Sequence, residues 1–79
     1  MRSDRKAEIE AAVARLAACS RDELEAVAAE LGAKFAFTAG AEQCRLLGIG
    51  ASATMDRPAA IEAWARAARR RLAKEIGGA

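Results

Sequence analysis

The chain has no histidine and no tyrosine, and only one tryptophan, one proline and two cysteines among its 79 residues. The missing imidazole removes the commonest general base, proton shuttle and metal ligand. Ser3, Ser20, Ser52, Thr38 and Thr54 therefore have no imidazole to activate them as nucleophiles. Cys19 and Cys44 belong to no CxxC pair, and without histidine they cannot complete a four-ligand zinc site in one chain. No stretch approaches the ~18 consecutive apolar residues of a membrane span. The opening MRSDRKAEIE is charged where a secretory leader would be apolar. These absences lead to the expectation of a non-enzymatic, cytoplasmic protein with reduced thiols, no cofactor, no metal, no membrane association and no small-molecule substrate.

Large apolar side chains are scarce as well. Hydrophobic residues make up 53% of the chain, but 23 of them are alanine, and Leu, Ile, Val and Phe together number 14. That is below the roughly 20% at which a core becomes thin. Alanine is the best helix former, whereas strands favour β-branched and aromatic residues, so composition argues for closely packed helices. It also leaves little bulk with which to wall a catalytic pocket.

The local signals give a single domain spanning 1–79, all-α, a compact bundle of about four helices with a long basic C-terminal one. Ser3 or Asp4 serves as N-cap of a helix over 4–18, with Ile9, Val13 and Leu16 at i, i+4, i+7. Ser20 and Glu23 form a capping box for a helix over 21–31, whose stripe is Leu24, Val27 and Leu31 and whose stop is Gly32. Phe37, Ala41 and Cys44 fit a third helix over 37–47, ended by Gly48. A short strand pair using Phe35–Phe37 and Leu46–Ile49 is the alternative for this middle segment. Asp56 caps a last helix over 57–76 that tolerates Pro58 in its first turn. Ile61, Trp64, Ala65, Ala68, Leu72 and Ile76 line one face of it, and Gly77-Gly78-Ala79 is a frayed tail.

Two motif matches lack their structural context. Gly48-Ile49-Gly50-Ala51-Ser52-Ala53 fits G-x-G-x-x-A, but a dinucleotide loop needs a strand before it, a helix directly after it and an acidic ribose partner. It reads instead as a loop. Helix Ala41–Leu47, a short polar segment and a second helix near Ser52 resemble a helix-turn-helix. Pro58 would interrupt that recognition helix, and Arg57 is its only basic group.

Charge is the informative feature. Residues 1–33 carry net −2 and residues 34–79 net +4, with five cations and no acid from Ala65 to Lys74. Arg66, Arg69, Arg70 and Lys74 fall on the helix face opposite the apolar stripe, and Arg71 on its flank. Glu62 is placed to pair with Arg66 at i+4 and lower that charge. The expectation is a small non-enzymatic interaction protein that binds a protein partner, or itself as a homo-oligomer, through the apolar Trp64/Leu72 stripe, the arginine face, or both. Trp64 is the candidate interface anchor, since Trp and Arg lead binding hot spots. The alternative is a nucleic-acid-binding module resting the same cations on phosphates.

Overall fold

The computed structural model describes the backbone of residues 2–77 and the side chains of residues 5–74. Six elements follow in order: α1 (Arg2–Ala18), α2 (Arg21–Glu30), β1 (Lys34–Thr38), β2 (Ala41–Leu46), β3 (Ile49–Ala53) and α3 (Arg57–Gly77). The expected all-α bundle is thereby corrected to an α+β fold of three helices and a three-stranded antiparallel sheet, in the order β1-β2-β3. No third helix exists over 37–47. That segment is the end of β1, a turn and β2.

Two tight hairpins account for the difference. Thr38 pairs with Ala41 and Leu46 with Ile49, so each loop has two residues, Ala39-Gly40 and Leu47-Gly48. All four residues have positive φ, from 54° to 79°, the signature of type I′ turns whose twist matches that of the strands they join. Glycine takes this conformation freely. Ala39 and Leu47 do so at a steric cost of about 1–2 kcal/mol each. The strand alternative had Phe35–Phe37 in a strand, as observed, but its partner is 41–46 and Leu46–Ile49 is the second turn. The Gly48–Ala53 stretch, expected as a loop, is a turn residue followed by β3.

The helices begin and end for identifiable reasons. α1 starts at Arg2, so Ser3 and Asp4 lie inside its first turn instead of capping it. At α2, the Glu23 carboxylate accepts the Ser20 N–H at 2.9 Å and the Ser20 hydroxyl at 3.2 Å. α2 ends in a Schellman motif: Ala33 N–H donates to the Ala28 carbonyl and Gly32 N–H to that of Ala29, with Gly32 at φ 97°. Asp56 caps α3 by accepting the Ala59 N–H at 2.9 Å. Ile76 and the Gly78–Ala79 tail, both assigned from the sequence, lie outside the residues whose side chains or backbone are described. Gly77 is the last residue of α3.

α3 is the element that the others share. Its buried residues Ala60, Ile61, Trp64, Ala65 and Ala68 form one core with Ile9, Ala12 and Leu16 of α1, Leu24 and Ala28 of α2, and Cys44, Leu46 and Ile49 of the sheet. Five of those thirteen core positions are alanine, so the elements approach closely and few large side chains suffice. The sheet turns Phe35, Glu42, Cys44, Leu46, Ile49 and Ala51 toward the helices. Its other face, with Lys34, Ala36, Thr38, Gln43, Arg45, Gly50 and Ser52, is exposed. Among the described residues, no helix is long and apolar enough to cross a membrane.

Candidate binding cleft

Trp64 has no solvent exposure. Its indole N–H donates to the carbonyls of Leu46 (3.1 Å) and Ile49 (3.2 Å), the cross-strand pair that closes the second hairpin. The tryptophan therefore locks α3 onto the β2–β3 turn, and no part of it reaches the surface. An interface anchored on Trp64 would require this core to open. Arg5 clasps the same turn from α1: its Nη1 donates to the Leu47 carbonyl at 2.9 Å. A Cβ on Gly48 would come within 3.1 Å of that nitrogen.

The arginines divide into two groups. Those outside the second half of α3 are mostly engaged in bridging elements. Arg15 binds Glu30 at 2.9 Å, joining α1 to α2. Arg21 binds Asp56 and Glu62, each at 3.1 Å, joining α2 to α3. These carboxylates raise the Arg21 pKa, Asp56 most strongly, and hold the guanidinium charged. Arg57 binds Glu25 at 3.0 Å and Glu42 at 3.5 Å, and lies 5.0 Å from the centre of the Phe35 ring. The expected Glu62–Arg66 pair does not form, because Glu62 faces Arg21 across the helix–helix boundary.

Arg66, Arg69, Arg70, Arg71 and Lys74 form the second group. All five are exposed, and none has an acidic partner within 4 Å among the described side chains. The structure separates them by location. Arg66 and Arg69 stand on the rim of a cleft between the α1–α2 corner and α3, whereas Arg70, Arg71 and Lys74 do not line it. The cleft measures about 360 Å³. Its floor is the exposed edges of Leu16, Leu24 and Ala65 over the fully buried Ile61, and Ala17, Cys19, Arg21 and Glu62 complete the wall.

Sequence reasoning placed the α3 cations and missed the opposite wall. Nothing in the local pattern brings Leu16, Cys19 and Arg21 beside α3; the corner made by the Ser20 cap does so. Chemically, the cleft offers a narrow apolar edge and two guanidinium groups with no acidic partner among the described side chains. The half-buried Cys19 thiol donates to the Leu16 carbonyl at 3.3 Å, which also accepts the Cys19 N–H at 3.4 Å at the end of α1. Cys44 is buried in the core, and desolvation pushes its thiol up to about 11. No group of three metal-ligating side chains exists among the described residues. The chain matches no protein-family model, no curated protein and no solved structure.

Proposed function

We propose that the protein is a small, non-enzymatic interaction module that binds a protein partner through the arginine-bearing surface of α3. The observation that carries this reading is the division of the cations. Arg15, Arg21 and Arg57 are paired across element boundaries, while Arg66, Arg69, Arg70, Arg71 and Lys74 have no acidic partner among the described side chains; Lys6, Lys34 and Arg45 likewise have none there but lie outside α3. Clustered charge of one sign raises the local potential and steers a complementary surface toward it. Arginine suits this role because its planar fork binds carboxylates in pairs and sheds water readily.

A second copy of the chain is the weaker occupant. A two-fold contact on this face would set arginine against arginine, which costs free energy at every pair. Nucleic acid is the second reading, supported by the five cations and no acid from Ala65 to Lys74. The protein reading takes precedence because an apolar-floored cleft adjoins the charges, and a phosphate backbone has no aliphatic group to place there.

The test is affinity capture from native extract after nuclease treatment. The bait is the wild-type protein or a variant with Arg66, Arg69, Arg70, Arg71 and Lys74 changed to glutamate. A protein retained by the first bait and lost with the second supports the reading. Material that disappears on nuclease treatment, or that both baits retain equally, sinks it.

A further inference from the structure

The cleft identifies the chemistry of that partner more closely, on the premise that the α3 surface is where the partner binds. Its floor consists of the narrow exposed edges of Leu16, Leu24 and Ala65, with the exposed Ala17 beside them and Ile61 wholly buried beneath. A polar group seated on that floor would lose its water with nothing in return; an aliphatic side chain would lose none. At about 360 Å³, the cleft lies at the low end of the roughly 300–1,000 Å³ that ligand pockets span. That is room for one or two side chains, not for a folded element.

The rim sets the charge. It carries Arg21, Arg66, Arg69 and Glu62. Arg21 is already committed to Asp56 and Glu62, so the rim's own acid is engaged from the α2 side. Arg66 and Arg69 are left facing the opening with no acidic partner among the described side chains.

We infer that this cleft is the docking site for a short segment of a partner protein in which an aliphatic side chain is flanked by carboxylates. The aliphatic group rests on the exposed edges of Leu16, Leu24 and Ala65 beside Ala17, and the acids pair with Arg66 and Arg69. A lysine-rich or uncharged segment is rejected because it leaves both guanidinium groups without partners. Arg70, Arg71 and Lys74 lie beyond the cleft and contribute long-range attraction only, which salt screens.

The experiment selects binders to the 79-residue chain from a phage-displayed random-peptide library, then measures synthetic versions of the enriched peptides by fluorescence anisotropy. Enriched sequences should place Asp or Glu beside Leu, Ile or Val. Arg66→Glu with Arg69→Glu should weaken them by about a hundredfold, roughly tenfold for each charge-assisted hydrogen bond removed. Ala17→Phe fills the cleft from an exposed helical position without altering charge, and should weaken them by about tenfold or more. Far-UV circular dichroism verifies that each variant is folded. Arg70→Glu with Arg71→Glu should change affinity by no more than about threefold at physiological salt.

Enriched peptides without acids, no enrichment, displacement by a single-stranded oligonucleotide alone, or wild-type binding by both cleft variants would each overturn the docking site. Peptides that depend on Arg70, Arg71 and Lys74 instead would overturn the cleft but leave the α3 surface standing. Indifference to all of these substitutions would remove both.

Discussion

Replacing Trp64 isolates the interaction that ties α3 to the sheet. Phenylalanine keeps an aromatic ring in the site but deletes the N–H that both Leu46 and Ile49 carbonyls accept. One donor serves two acceptors, so a single net hydrogen bond disappears, about 1 kcal/mol. Leu46 and Ile49 are cross-strand partners closing a two-residue turn, so their carbonyls keep ladder partners and are not orphaned. The smaller ring leaves a void in a site with no solvent exposure, adding about 1 kcal/mol. Trp64→Phe should therefore cost about 2 kcal/mol in total, and Trp64→Ala about 3–5 kcal/mol. A domain of this length has roughly 4–12 kcal/mol of stability, so the alanine variant should be near its limit and the phenylalanine variant folded. Urea titration followed by far-UV circular dichroism measures both, and the phenylalanine midpoint should fall by roughly 1–2 M. A Phe cost below about 0.5 kcal/mol, typical of a surface position, would refute the assignment of Trp64 as the α3–sheet lock. So would equal losses for Phe and Ala.

Other perturbations separate the remaining devices. Ala39→Asn, at an exposed turn position with φ 54°, should raise stability by about 0.5–1 kcal/mol in thermal unfolding, because asparagine tolerates the left-handed region. Asp56→Ala should cost about 1 kcal/mol by removing the α3 cap. Asp56→Asn keeps a capping oxygen and should cost less, and calorimetry of the two variants checks the order. Burial raises the Cys44 thiol from 9.0 to about 11. Between those values the unfolded chain ionises while the folded one holds its proton, so this contribution to stability is complete below about pH 9 and is lost as pH rises toward 11. Denaturation at a series of pH values, compared with Cys44→Ala, should show the wild type losing stability relative to the variant across that window. A constant difference would contradict it.

The helices were legible because their signals are local. Ser20 and Glu23, Gly32, Asp56 and the Ile61/Trp64/Ala68 stripe each act within a few residues, and each is found in the structure. The sheet was not legible, and particular residues explain why. Its hairpin dipeptides are Ala39-Gly40 and Leu47-Gly48, where a strong signal would be Asn-Gly or Asp-Gly. Its inward-facing row includes Glu42, which breaks the apolar alternation and is tolerated only because Arg57 meets it at 3.5 Å. Phe37, Ala41 and Cys44 fit a helical period by coincidence; in the sheet, Cys44 is buried while Phe37 is 70% exposed. The α3 cations could be read from sequence, but not that Arg66 meets no acid among the described side chains. That depends on Glu62 turning to Arg21, 41 positions away in the chain.

The central claim is that the arginines serve two separate purposes. Stability and peptide affinity measured together across Arg57→Ala, Arg66→Ala and Arg69→Ala test it most directly. Arg57→Ala should lower stability by about 1 kcal/mol, by removing its ion pairs and its stacking on Phe35, and leave affinity unchanged. Arg66→Ala and Arg69→Ala should each weaken binding by about tenfold and leave stability within about 0.5 kcal/mol of wild type. Arg66 and Arg69 variants as destabilised as the Arg57 variant, or an affinity loss shared evenly by all three, would contradict it.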